Sequence, residues 1–271
     1  MKGNKKKVEE FWNEASCGEK LLLEESSKDG YEKQSKERYK LEPYIIPFAE
    51  FDKTSGKDVL EIGVGLGADH QKFAEYGANL SGIDLTQRAI NHTSERLRCF
   101  NLESKLRISD VEKLDFKDGL FDLVYSWGVI HHTPNTPAAI GHILRVLKPG
   151  GQAKIMIYHK WSIVGFMLWL RYGLFSMKPF KGLAEIYSKH LESSGTKAYS
   201  VEEALQLFSG FDEVKITTEL THGDLLTSGA GQRHEGIILS FVRIIWPRFI
   251  IRKFFNNYGL FMLVSAKKPD R

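Results

Sequence analysis

The pattern of apolar and polar positions changes character near residue 57. Before it, VEEFWNEA and YEKQSKERYKLEPYIIPFAEF place apolar residues at helical spacing in a charged background poor in β-branched side chains, which predicts a helical lead-in, a lid over residues 1–56. From Lys57 onward, short apolar runs alternate with helical segments. DVLEIGVGL reads as a strand closed by glycines, ADHQKFAEYG as a helix, NLSGIDL as a second strand and QRAINHTSERLRCFN as a second helix. Strands at LRISD, FDLVYSWGV and QAKIMIY and a helix at PAAIGHILRVL continue the series, with Thr136 as its cap, Pro137 in its first turn and LKPGG as its stop. This alternation predicts an α/β fold, a parallel sheet with helices on both faces.

Beyond Tyr158 the regularity fades into WSIVGFMLWLRYGLFSMKPF, then a helix (VEEALQLF), a strand (EVKITTEL), a long segment and a final strand (GLFMLVSAKK). The implied organisation is a core over 57–160, an apolar helical insertion over 161–200 that caps it, and a C-terminal part of the core, 201–271, carrying an inserted segment at 221–257. The apolar stretches Trp161 to Phe180 and Ile237 to Phe255 have two readings: a cap packed on the sheet, which is favoured, or a lid touching membrane through aromatics interleaved with Arg243, Arg248, Arg252 and Lys253. Lys2, Lys5, Lys6 and Lys7 read as a solvated, mobile end.

Composition narrows the function classes. With 271 residues, 42% of them hydrophobic, the chain can build a sizeable core, and a net charge of +4 does not by itself nominate a nucleic acid. Two cysteines, Cys17 and Cys99, exclude a disulfide scaffold and agree with a reducing compartment, so the cytoplasm is the default location. The N-terminus has no apolar run marking it for export, and no stretch reaches the ~18 apolar residues of a spanning helix. The histidines His70, His92, His142, His190, His222 and His234 form no i,i+4 ligand pair or Cys/His cluster, so no metal site is indicated.

The candidate chemistry sits at strand ends. Glu61 precedes Gly63, Gly65 and Gly67, which let the backbone turn sharply and let a ligand approach closely. Asp84, 23 residues after Glu61, ends the second strand, where a carboxylate accepts from a ribose diol. That pairing fits a nicotinamide dinucleotide or another adenosine cofactor. Glu61 could order the turn or meet a cationic ligand. His131 and His132 follow the fourth strand, where an imidazole can deprotonate a hydroxyl or amine, or one ring can pack beneath a cofactor while the other bonds the backbone. Tyr158 and His159 end the next strand, on the edge where ligands of such sheets bind.

In order and spacing, EIGVGLG, Asp84, Ser109-Asp110-Val111, FDLVYSWGVIHHTPN and LKPGG resemble class I S-adenosylmethionine-dependent methyltransferases over roughly Lys57 to Tyr158. The type 11 branch, with ubiquinone and menaquinone methyltransferase-like enzymes, is the nearest likeness. The resemblance implies a Rossmann-like, doubly wound, seven-stranded sheet, mostly parallel, with a reversed last strand inserted between the previous two. It also implies S-adenosyl-L-methionine as cofactor and S-adenosyl-L-homocysteine as product. Gly63, Gly65 and Gly67 would meet the amino-acid portion, Glu61 would order the loop, and Asp84, with Leu85 beside it, would hold the ribose. Asp110 would accept from the adenine amine, Val111 would pack on the ring, and Ser126, Trp127 and Gly128 would lie beside the sulfur.

The reaction expected is methyl transfer to a small-molecule oxygen or nitrogen nucleophile. The alternatives are a prenylated or lipid-like acceptor at a membrane surface, and a non-catalytic S-adenosylmethionine-binding module. A dinucleotide oxidoreductase fits the downstream motifs less well. Ser126-Trp127-Gly128-Val129 stands where a nucleic-acid methyltransferase would carry an N-P-P-Y-like tetrad, so a nucleic-acid acceptor lacks support. Tyr31, Arg38 and Tyr39 are candidate contacts from the lead-in.

Overall fold

The computed structural model describes residues 2–228 and 243–270. The lead-in forms helices α1 (Lys2–Glu14), α2 (Glu19–Leu22), α3 (Lys28–Leu41) and α4 (Ile45–Ala49). Strands β1 (Asp58–Ile62), β2 (Asn79–Asp84), β3 (Lys105–Ile108), β4 (Phe121–Trp127), β5 (Leu147–Tyr158), β6 (Asp212–Glu219) and β7 (Phe261–Lys267) make one sheet in the order β3-β2-β1-β4-β5-β7-β6. β1 pairs in parallel with β2 and β4, while β7 runs antiparallel between β5 and β6, as the reversed last strand requires.

Helices α5 (Ala68–Glu75), α6 (Gln87–Cys99) and α7 (Thr136–Val146) connect the parallel strands. Alternation along β1 sends Val59 to one face, with Ile45, Phe73 and Tyr125, and Leu60 and Ile62 to the other, with Ile140 and Ile143. Both faces are therefore covered, which is why the central strands read as continuous apolar runs.

Three local expectations change. Asn135, not Thr136, caps α7 by accepting from the Ala138 N–H at 3.2 Å; Thr136 lies inside the helix and accepts from the Tyr199 hydroxyl. LKPGG is not only a helix stop, because β5 begins at Leu147. The lysine-rich start lies in helix α1, where Lys6 and Lys7 are solvated as expected but Lys5 pairs with Asp110 and Glu112.

The segment after β5 forms α8 (Ile163–Trp169), a π-helical turn at Leu170–Leu174, α9 (Leu183–His190) and α10 (Val201–Leu207). Between β6 and β7 lie α11 (His222–Leu225) and α12 (Arg248–Phe254); residues 229–242, including His234 and the start of the second apolar stretch, fall outside the described residues. The favoured packing of both stretches on the sheet is only partly realised. Leu168 and Ile251 are buried, but Phe175, Met177, Phe180, Ile244, Phe249 and Phe254 are exposed. No helix among the described residues is long and apolar enough to cross a membrane.

Candidate functional site

The strand order reverses between β1 and β4, and at such a switch point the C-terminal strand ends splay into a ligand-binding crevice. Gly63, Gly65 and Gly67 all take positive φ at the end of β1. Gly63 is fixed by contact, since a Cβ there would fall 2.1 Å from a Val129 methyl; a Cβ on Gly67 would fall 2.9 Å from the Thr93 hydroxyl. Gly65 differs: a Cβ there would meet nothing within 4 Å, so the loop leaves open space beside it.

Glu61 is buried, and its carboxyl contacts the His70 Nδ1 at 2.8 Å. The opposite ring nitrogen of His70 contacts the Ser104 hydroxyl at 2.8 Å, and Ser104 donates to the Leu80 carbonyl. Burial drives the His70 imidazole down to about 3 and raises the Glu61 carboxyl well above its ordinary range, with Asp69 adding to the rise. A protonated Glu61 donating to a neutral His70, which donates in turn to Ser104, satisfies every group in this chain. His70 therefore ties α5 to β1, a role no spacing signalled.

Asp84 accepts from the Thr86 N–H and hydroxyl at 2.9 Å each and from the Gly65 N–H at 3.3 Å. It thus joins the glycine loop to the start of α6, where Thr86 is the cap, and burial raises its carboxyl pKa. Leu85, next along the chain, is half-buried. Asp110 ends the β3 side: one oxygen accepts the Glu112 N–H at 2.9 Å, the other meets the Lys5 ammonium. Val111 is buried in the core beside it. The Ser126 hydroxyl is consumed in the sheet, donating to the Ile62 carbonyl at 3.0 Å. Trp127 projects among Tyr44, Phe48 and Phe261, forming an aromatic wall.

Tyr31, Arg38 and Tyr39 serve the docking of α3. Arg38 and Tyr39 converge on Asp69, which also takes the Tyr125 hydroxyl, and the Tyr31 hydroxyl donates to the His92 carbonyl.

Beyond β4 the polar groups are incompletely partnered. His131 is fully buried and neither ring nitrogen has a hydrogen-bond partner; the Tyr158 ring lies 3.9 Å away, centroid to centroid. Burial, with His132 adding to it, keeps the His131 imidazole well below its ordinary pKa and therefore neutral. His132 is oriented through Nδ1 by the Ser193 and Thr196 hydroxyls at 2.9 and 3.1 Å. Its Nε2 faces Glu192 at 3.2 Å without hydrogen-bonding geometry, and Trp12 of α1 packs edge-on against its ring.

Burial, and then Glu192, raise the Tyr158 phenol well above its ordinary value. The Tyr44 hydroxyl is also buried without a partner, while the Glu42 Oε2 has no hydrogen bond but pairs with the Arg38 guanidinium at 3.5 Å; burial pushes the Glu42 carboxyl up to about 7 against the pull of Arg38.

His159 does not join this group. It follows Tyr158 on the strand and so points to the opposite face, where its Nδ1 donates to the Gly259 carbonyl at 3.2 Å. The spacing of histidines also missed Glu192, which the 161–200 insertion brings to His132; its one trace in the sequence is a polar HLESSGTK run within an apolar insertion. Donor atoms of His131, His132 and Glu192 all lie within 4.8 Å of one another. This set offers nitrogen and oxygen donors suited to a divalent cation, and the same proximity suits proton transfer.

A methyltransferase domain family model matches residues 60–155. Phosphoethanolamine N-methyltransferase 2 of Caenorhabditis elegans is 32% identical over 144 residues, covering 51% of this chain and 33% of that protein. 2-Methyl-6-phytyl-1,4-hydroquinone methyltransferase of Synechocystis is 32% identical over 108 residues, 40% of this chain and 33% of that one. The chain thus spans about a third of the length of these two curated relatives.

Among solved structures, Haemonchus contortus phosphoethanolamine N-methyltransferase 2 with phosphomonomethylethanolamine and S-adenosylhomocysteine aligns with a TM-score of 0.56 at 16% identity, over 84% of this chain and 52% of that one. A [4+2]-cyclase aligns with a TM-score of 0.55 at 18% identity, over 84% of this chain and 80% of that one. These likenesses show the fold, which by itself does not fix a reaction.

Proposed function

We propose that this chain, whose residues 60–155 belong to the methyltransferase domain family of class I S-adenosylmethionine-dependent enzymes, transfers a methyl group to a small molecule through an oxygen or nitrogen nucleophile. The observation that carries this reading is the juxtaposition, at one sheet edge, of a glycine loop with open space at Gly65 and a buried, unpartnered His131. The residues present fit S-adenosylmethionine. Gly63, Gly65 and Gly67 offer a backbone cradle, Asp84 has carboxylate lone pairs left for ribose hydroxyls, and Asp110 is an acceptor for an adenine amine once Lys5 yields it.

When bound, that cofactor supplies a methyl group already activated by its sulfonium, so no covalent enzyme intermediate is needed. The protein's part is to hold the acceptor in line and exclude water, an effect worth up to about 7–11 kcal/mol in favourable cases. Trp127, Tyr44, Tyr158 and Phe261 pack ring on ring beside His131 and supply the apolar surface. His131, held neutral by burial, presents unpartnered ring nitrogens beside the acceptor. His132, fixed by Ser193 and Thr196 and backed by Glu192, takes the proton released as the nucleophile is methylated.

A second acceptor class, prenylated or lipid-like, is supported by the name of the phytyl hydroquinone relative. Calorimetric titration with S-adenosylmethionine, S-adenosylhomocysteine and NAD tests the cofactor; release of S-adenosylhomocysteine across phenols, amines and prenylated hydroquinones tests the reaction. NAD binding alone would overturn the reading. Cofactor binding without product across the panel would identify a non-catalytic binding module instead.

A further inference from the structure

The two apolar segments outside the cofactor core carry a separate signal. In the loop after α8, Phe175, Met177 and Phe180 are 77%, 88% and 100% exposed. In and before α12, Ile244, Phe249 and Phe254 are 79%, 76% and 64% exposed, while Ile251 alone of that helix is buried. Soluble surfaces scatter such side chains singly; here they cluster in two short stretches.

Charge follows the same stretches. Residues 160–190 and 243–258 together hold nine Lys and Arg and a single acid, Glu185, which leaves the rest of the chain net negative, 29 basic against 33 acidic, although the whole is +4. Lys178, Arg252 and Lys253 are exposed and have no acidic partner among the described residues. Lys253 lies over the Phe249 and Phe254 rings at 5.9 and 5.4 Å, an ammonium flanked by aromatics.

The elements that lead into the two stretches, the start of α8 and the turn before α12, share one buried anchor. The Asp224 carboxylate of α11 accepts the Val164 N–H at the start of α8 (3.1 Å) and the Leu260 N–H (2.9 Å), and its backbone carbonyl accepts the Trp246 indole N–H (2.9 Å). Arg248 donates to the Leu225 and Leu226 carbonyls on the same turn. Exposed aromatic and aliphatic tips interleaved with unpaired cations match an anionic bilayer surface, which takes the apolar tips below the headgroups and neutralises the cations.

We propose that the 175–180 loop and α12 form an interfacial docking surface for an anionic lipid bilayer, lying on the membrane rather than spanning it. The inference is independent of methyl transfer and is tested without cofactor or acceptor. The full chain is floated with phosphatidylcholine vesicles with and without phosphatidylglycerol at low salt. Partition into the anionic vesicles is expected. Substituting Lys178→Ser, Arg252→Ser and Lys253→Ser together should weaken it roughly a hundredfold.

Phe180→Ser with Phe249→Ser should also reduce partition, with an unchanged melting profile because both side chains are exposed. Absence of binding to anionic vesicles, or binding unaffected by either variant, would overturn the proposal. So would self-association in sedimentation that the Phe180→Ser/Phe249→Ser variant abolishes while vesicles remain unbound, since the surface would then belong to a second copy.

Discussion

The two halves of the crevice treat their polar groups differently. At the ends of β1, β2 and β3, Glu61, His70, Ser104, Asp84 and Asp110 are all engaged by the protein itself. At the ends of β4 and β5, and on the α3–α4 connection beside them, both His131 ring nitrogens and the Tyr44 hydroxyl are buried without partners, and the His132 Nε2 meets only Glu192. An unpaired buried polar group costs about 1–3 kcal/mol, so these groups destabilise the second half, while in the first the Arg107 Nε of β3 is left in the same way. The difference teaches where ligand chemistry belongs. On the proposed reading, the first half is a frame that presents backbone and a few remaining lone pairs, whereas the second offers side chains to a group brought from outside.

If that division is right, removing a side chain from the second half should cost turnover and spare cofactor binding. His132→Ala, and to a lesser degree Glu192→Gln, is expected to lower kcat by about 10²–10⁴-fold with the cofactor Kd unchanged. Steady-state kinetics beside calorimetry would check it, and equal losses in both would erase the division.

The frame should fail in stability instead. Gly63→Ala drives a Cβ into Val129 at φ +83°, an overpacking cost of about 1–3 kcal/mol with left-handed strain added; Gly65→Ala carries the strain alone. Thermal melts should rank Gly63→Ala well below Gly65→Ala, and Gly65→Ala should still weaken cofactor binding by filling the open space. Asp84→Ala should weaken S-adenosylmethionine by about 1–3 kcal/mol by titration, and an unchanged Kd in a folded variant would remove its assignment to the ribose.

Glu42 sharpens the contrast through pH. Its folded pKa of about 7 exceeds the ordinary 4.5, so between those values the folded chain holds a proton the unfolded chain has released. Stability from this group is present below pH 4.5 and lost as pH rises through 7. Glu42→Gln, which does not ionise, is expected to be more stable than the parent above about pH 8, by on the order of 2 kcal/mol, and the gap should close in acid; denaturant melts across that range would show it.

The smallest effect concerns Lys5, which holds Asp110 from the half-exposed side. Lys5→Ala should tighten cofactor binding by less than about 1 kcal/mol, whereas weaker binding would mean that α1 closes over the ligand and contributes to holding it.

The frame was legible in the sequence because its signals are local. Three alternating glycines, an acid at or just past the end of each of the next two strands and continuous apolar runs depend only on residues near one another in the chain. Even the reversed β7 was expected, although from family likeness rather than from spacing. The proposed acceptor side was half legible: His131, His132 and Tyr158 lie together, but His159 shares only their sequence neighbourhood, because strand alternation turns it to Gly259. Ser126 and Asn135 show the same limit at shorter range, since hydroxyl and cap partners are chosen by approach geometry among several adjacent candidates.

Sequence alone thus determined the order of elements, the strand ends where chemistry gathers and the segments standing apart from the core. Tertiary structure decided which polar groups find partners. Glu192 reaches His132 from 60 residues downstream, Lys5 reaches Asp110 across 105, and Asp224 gathers Val164, Trp246 and Leu260. Hydrogen bonds and burial act through space at about 3 Å, and only the packed chain fixes which distant residues come that close.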